Sequence, residues 1–186
     1  GPVAPAPHSL PPCCPGFFTR VIPGSHLFQG VAASTMPTGV GWAFIRIGTL
    51  VERADCTSRI LDVQYHIILP TGEDIGGNVD TIQWMGVLKS CSGLEAYCKL
   101  YVSQVAPWKV AEFIITDQEF PRSIRYCVDS LDNALHRISG VDESRYANEA
   151  ERRSGRPRSD VDYVTIGAIF EFGSPEYLTA VQERPV

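Results

Sequence analysis

No stretch of this 186-residue chain stays apolar for the roughly 20 residues that a bilayer-spanning helix needs, because Arg46 interrupts the best candidate, Val40 to Val51. No membrane role is expected. The start of the chain has no basic segment followed by an apolar one, so an export signal is not expected either. Cations are not in excess: 16 Lys and Arg stand against 21 Asp and Glu, a net charge of −5. Such a chain has little with which to displace counterions from phosphate backbones, which argues against nucleic acid as a partner. None of the six cysteines belongs to a C-x-x-C pair, so a structural zinc site is not expected. Cys13 and Cys14 are adjacent, whereas Cys56, Cys91, Cys98 and Cys127 sit inside apolar segments. They read as reduced, packed thiols of a cytoplasmic protein. Also missing are the nucleophile elbow G-x-S-x-G, the zinc helix H-E-x-x-H, and the phosphate loops G-x-x-x-x-G-K-[ST] and G-x-G-x-x-G.

Apolar and polar residues nowhere alternate for long enough to propose a sheet, and what is present is helical periodicity. The expected fold is all-α, an antiparallel helical bundle with short loops and a disordered Pro-rich N-terminal arm. Half of the fourteen prolines fall between Gly1 and Pro23, in "GPVAPAPHSLPPCCPGFFTRVIP". Proline lacks a backbone donor, so residues 1–24 are expected to be an extended or disordered arm and 25–186 a single helical domain. From Gly41 onward Ile47, Leu50, Val51, Ala54, Ser58, Leu61, Tyr65 and Ile68 make one helix face, ended by Pro70-Thr71-Gly72. A second helix is expected from Asn78 or Asp80 through Val105, a third from Pro107, and a fourth from Pro121 to the stop at Gly140. Residues 148–181 read as helix broken or kinked at Pro157 and Pro175.

At about 100° per residue, Glu52, Asp55, Arg59, Asp62 and His66 fall within a sector of about 80° on the first of these helices. The main apolar face flanks this stripe on one side, and Ile60, Val63 and Ile67 flank it on the other. The stripe is therefore expected to be half buried. Its spacings supply counter-charges, Asp55 to Arg59 and Asp62 to His66 at i,i+4 and Arg59 to Asp62 at i,i+3, so a salt-bridged seam is one reading. On that reading Arg59→Leu is destabilising. The other reading makes Glu52, Asp55 and His66 candidate catalytic acid/base groups, since two carboxylates one turn apart raise one pKa. No helix supplies the Glu-x-x-His of carboxylate-bridged metal sites, so neither a metal nor another cofactor is expected. The run "ERRSGRPR" places Arg152, Arg153, Arg156 and Arg158 close together, where guanidinium forks can capture an anion or simply form a solvated helix end. Trp42, Trp84 and Trp108 with Tyr97 and Tyr101 read as core before pocket, and "DQEFPR", Asp117 to Arg122, as an ordinary helix start before an anion site.

The segments "SHLFQGVAASTM", "GWAFIRIGTLVERADCTSRILDVQYHIILP", "DTIQWMGVLKSCSGLEAYCKLYV", "WKVAEFIITDQEFPRSIRYCVDSLDNAL" and "NEAERRSGRPRSDVDYVTIGAIF" resemble the alpha-E family of bacterial helical proteins. The resemblance runs from about Ser25 to Glu183, corresponds to the C-terminal portion of that family's longer chain, and leaves Gly1 to Pro23 without a counterpart. Glu52, Arg53 and Ala54 match the family's Glu-Arg-Ala, and Asp55, Arg59 and Asp62 follow its continuation. Thr38-Gly39-Val40-Gly41-Trp42 departs from the family's His-Gly-Glu-Gly-Trp. Thr49 and Cys98 replace basic residues, and Arg153 and Pro157 replace leucines, so a diverged copy is expected. The resemblance implies partners encoded beside the family, an ATP-grasp type peptide ligase and a transglutaminase-like protein. The first expectation is thus a non-catalytic helical partner of such a ligase. The second is an enzyme or small-molecule binding protein whose site lies on the Glu52–His66 helix, with binding residues drawn from Glu52, Arg53, Asp55, Arg59, Asp62, Arg152, Arg156 and Arg158.

Overall fold

A computed structural model describes residues 14–68, 78–101, 105–141 and 145–162. Among these residues the protein is all-α, with seven helices and no strand: α1 (Cys14–Thr35), α2 (Val40–Ile68), α3 (Asn78–Ser90), α4 (Leu94–Leu100), α5 (Pro107–Thr116), α6 (Ile124–Ser139) and α7 (Glu149–Asp162). No described helix is long and apolar enough to cross a membrane. The chain divides into two compact units, Gly1–Trp42 and Ala43–Val186.

In the first unit, α1 begins well before Ser25, so the described part of the Pro-rich arm, 14–24, is helical where an extended or disordered chain was expected. Pro15 lies in the first turn, where no backbone donor is needed. Pro23 is interior and removes one ladder bond. Hydroxyls take up further carbonyls along the helix: Thr19 donates to the Gly16 oxygen, Ser34 to Gly30 and Thr35 to Val31.

In the second unit the main core gathers around α5, where Val110, Ala111, Phe113, Ile114 and Ile115 are buried on almost every side. Leu61 of α2, Trp84, Val87 and Leu88 of α3, Tyr97 of α4, Phe120, Ile124 and Val128, and Val161 of α7 close over it. Each Val, Leu, Ile or Phe among them contributes about 1.5–3 kcal/mol by leaving water. Of the aromatic residues expected in the core, Trp84 and Tyr97 are buried while Trp108 is exposed; Tyr97 stacks on Tyr101 at 4.7 Å, Phe113 on Phe120 at 4.8 Å, and Tyr97 meets Phe113 edge-on at 5.7 Å. A smaller cluster joins Leu50 of α2 to Cys127 and Leu131 of α6, with Ile47, Val51 and Ala54 packed beside it. The α2 face read from periodicity therefore serves two clusters.

The helix expected from Asn78 to Val105 is two helices. Ser92 turns left-handed (φ 56°), its N–H reaches the Lys89 oxygen at 3.0 Å, and Gly93 N–H reaches Leu88 O at 2.7 Å. This paired capping ends α3. Gly93 is required by space, since a Cβ there would lie 2.9 Å from Phe120 Cζ and 3.3 Å from Phe113 Cε1. The start of α6 also differs from expectation: Pro121 and Arg122 remain in the preceding turn, and Ser123 caps the helix by accepting from Tyr126 N at 3.0 Å. Asp117 organises that turn, its Oδ1 accepting from the N–H groups of Glu119 (2.9 Å) and Phe120 (2.6 Å) while its carbonyl accepts from Ser123 Oγ. Gly140, at φ 72°, ends α6 as expected. Of the kink or restart expected at Pro157, the restart does not occur; α7 runs through the proline, tied to α6 on both sides of it by Ser154 and Arg158, and Pro175 lies outside the described residues.

Candidate functional site

The Glu52-Arg53 pair sits midway along α2, and its surroundings are set by the turn between α5 and α6. Arg53, half-buried, points Nη1 at the Pro121 carbonyl at a long 3.5 Å. One turn further, buried Thr57 donates Oγ1 to the Arg122 carbonyl at 3.0 Å. From α6, the thiol of Cys127 lies 3.7 Å from Pro121 O. These contacts satisfy the carbonyls that the proline-containing turn leaves without a ladder. Glu52 is exposed and accepts from Cys56 Sγ at 3.3 Å. The thiols here are not activated: burial pushes Cys91 and Cys127 up to about 11, and burial, helped by the Glu52 carboxylate, raises Cys56 as well.

At its Asp55–Arg59 step, the seam expected along α2 lies in solvent and not half-buried. Arg59 and Asp55 do pair, Nε to Oδ2 at 2.9 Å, but their side chains are 62% and 42% exposed. Their i,i+4 spacing brings them together on the solvent side, where such pairs are weak. Glu52 is also in solvent, and only Asp62 of the stripe's described carboxylates approaches burial. The side chain of His66 lies outside the described ones. Arg59 also stands at one end of a groove of about 480 Å³ between α2 and α3, lined with Ile60, Val63, Gln64, Gln83, Gly86, Val87 and Ser90. Inside it the Gln64 Nε2 is buried without a hydrogen-bond partner.

The arginines of "ERRSGRPR" mostly meet carboxylates within the fold. Arg152 and Arg153 both reach Glu149, at 2.9 and 3.1 Å. Arg158 spans to α6, Nη1 to Asp132 Oδ2 at 2.6 Å and Nε to Asp129 Oδ1 at 3.3 Å. Arg156 is exposed. Three guanidiniums thus have their forks turned to side chains of this chain.

Sequence reading missed the buried polar junction that Arg158 closes. Asp132, His136, Glu151 and Ser154 are all 5% exposed or less. Ser154 Oγ lies 2.8 Å from Asp132 Oδ1 and 2.9 Å from Glu151 O. His136 Nδ1 bonds its own helix at the Asp132 carbonyl (3.0 Å), and its Nε2 stands 4.0 Å from Glu151 Oε2. Glu151 accepts from Ala147 N at 2.6 Å and Asn148 Nδ2 at 3.0 Å, while Asn148 Oδ1 accepts from Glu151 N at 2.9 Å. That is a variant of the capping box in which the carboxylate closes on the N–H before the cap residue and on the cap's side chain, and Asn148-x-x-Glu151 was its visible signature. The Asp132 hydrogen bond holds His136 above the ordinary imidazole value, with the Asp132 and Glu151 carboxylates adding to it against burial. The Ala147 N–H holds Glu151 below the usual carboxylate range. Ser154 addresses the carboxylate and not the imidazole, so the group locks α7 onto α6 without forming a nucleophile and base. Among the described residues no group of three or more His, Cys, Asp or Glu is placed to hold a metal ion.

Residues 5–185 match the model of one family, described as a predicted alpha-helical domain with a conserved ER motif. The match reaches into the Pro-rich segment, correcting the expectation that Gly1 to Pro23 have no counterpart there. No curated protein matches the chain, and no solved structure does.

Proposed function

The chain belongs to the Alpha-E family, and from that membership we propose that it is a helical partner protein that supports an ATP-grasp type peptide ligase without catalysing the ligation itself. The observation that carries this reading is how α2 divides along its length. The Arg53–Thr57 segment is spent on the chain's own α5–α6 turn, while the segment one to two turns further on, Arg59 to Gln64, borders the α2–α3 groove, where Val63 is 57% exposed. A groove of apolar walls with a cation at one end and amides along it is suited to holding a segment of another protein. The transglutaminase-like protein encoded beside the family is a second candidate partner, and a cytoplasmic location fits the reduced thiols. Co-expression of the full-length chain with the ligase encoded beside it, followed by gel filtration, tests the reading. The two are expected to co-elute, and Val63→Asp to separate them; independent elution of the unmodified pair contradicts the proposal.

A second reading, a small-molecule binding protein, is favoured by the same groove. Arg59 and Gln64 come from the Glu52–His66 helix, and the Gln64 amide has a donor to offer.

A further inference from the structure

Helix α1 stands almost bare. From Thr19 to Thr35 only Ala32 is buried, and Val21, Ile22, Leu27, Phe28 and Val31 are between 46% and 67% exposed. Most of a helix's stability comes from packing one face, and α1 carries Gly16, Gly24, Gly30 and the interior Pro23, which weaken it further. It needs a surface to pack on. Spacing sets the face: at about 100° per residue, Val21, Gly24, Phe28, Val31 and Thr35 fall within a sector of about 80°. Steps of three and four residues are those of a coiled-coil seam. Nothing in the seam is charged, and Thr35 returns its hydroxyl to the Val31 carbonyl at 2.8 Å. Gly24 is a hole in it, since a Cβ added there would meet nothing within 4 Å, and Phe28 is a knob one turn further on. Ile22 and Pro23 lie outside the sector.

This order of residues is complementary to its own reverse. Two copies of α1 laid antiparallel about a two-fold axis at His26 set Phe28 of each against Gly24 of the other, and Val21 against Val31. Leu27 of each copy then closes beside the axis, and Arg20, the one formally charged residue of α1, falls opposite Ser34 of the other copy and away from its own image. A parallel pair would instead stack Phe28 on Phe28 and Gly24 on Gly24, overfilling one layer and emptying the next, and would bring the two Arg20 to one level. A lipid surface fits less well, because α1 has no Lys and no cationic face to hold against headgroups. We propose that the chain forms an antiparallel homodimer through α1, with Val21, Gly24, Phe28 and Val31 as its seam. The inference concerns the first unit alone and does not depend on the ligase-partner reading. So short a seam gives a weak dimer, in the micromolar range.

The test is analytical ultracentrifugation of the full chain from low micromolar to submillimolar concentration, with a thiol reductant present so that cysteines do not cross-link copies. The mass is expected to rise with concentration from 20.4 kDa toward twice that value. Val21→Lys and Val31→Glu should each weaken the dimer at least about ten-fold, since each puts an unpaired charge into both Val21–Val31 layers. The two substitutions in one chain should restore it, because the antiparallel register sets opposite charges face to face. In a parallel pair like would face like, and the double variant would be worse than either single one. Ile22→Asp, at an exposed apolar position off the seam, should leave the mass profile unchanged. Circular dichroism checks that each variant keeps its helices, and recovery in the double variant keeps the test decisive where a single one loses α1. A chain that stays monomeric throughout, a dimer indifferent to Val31→Glu, or a double variant weaker than both single ones would overturn the proposal. So would dispersal by Ile22→Asp as complete as by Val31→Glu, or a monomer that co-sediments with phosphatidylcholine vesicles.

Discussion

At the level of single residues, the arrangement separates charges that resemble one another in sequence. Arg59 and Arg158 each have two acidic neighbours in reach, yet Arg59 pairs in solvent whereas Arg158 closes a buried junction against Asp132. Arg59→Leu is therefore expected to leave the thermal midpoint unchanged within the error of a melt, and a large drop would restore the seam reading. Periodicity gave the right helix for the stripe, but not which edge faced water, because apolar residues flank it on both sides. Gly93 is a case in which one hydrogen atom matters. Gly93→Ala must push Phe120 or Phe113 aside and is expected to cost about 1–3 kcal/mol by overpacking, measurable by urea denaturation. Nothing in "SCSG" announces that constraint, since the nearest ring, Phe120, belongs to the turn beyond α5.

At the level of elements, the starts and stops marked by local chemistry were legible. Pro107 and Gly140 sit where expected because each acts on its own turn of backbone. Pro121 misled because proline suits a turn as well as a first helical position, and the true cap, Ser123, is fixed by Asp117 across the turn. The pairing of α6 with α7 was illegible for a different reason: Ser154 and Arg158 meet Asp132 from 22 and 26 residues away. Helix α7 is strongly polar and carries Pro157, so it relies on its cap and on that junction. Asn148→Ala, removing half of the capping box, is expected to cost about 1 kcal/mol and to speed amide exchange along α7 more than along α5. Uniform exchange would show that α7 does not depend on its cap.

At the level of the whole molecule, the buried junction makes stability depend on pH in two opposite senses. His136 binds its proton more tightly when folded, so its contribution is complete below its ordinary value of 6.5 and disappears as pH rises through the folded value. Glu151 is held below its ordinary 4.5, so its contribution is present above that value and disappears as pH falls through the folded one. Melts from pH 4 to 8 are expected to show the alkaline decline in the unmodified protein and a shallower one in His136→Gln; parallel curves would remove His136 from the account. The all-α class and the family were legible in the sequence because helix periodicity and the Glu-Arg-Ala run are local. The division of α2 into a segment that holds the α5–α6 turn and a later segment that borders a groove was not, because it depends on which parts of the chain fold against it.

That division is tested most directly by hydroxyl-radical labelling of the chain with and without an ATP-grasp type peptide ligase, the partner proposed above. Oxidation of Val63 and Ile60 on α2 is expected to fall when the ligase is bound. Unchanged labelling at those two residues in the bound complex would contradict the account.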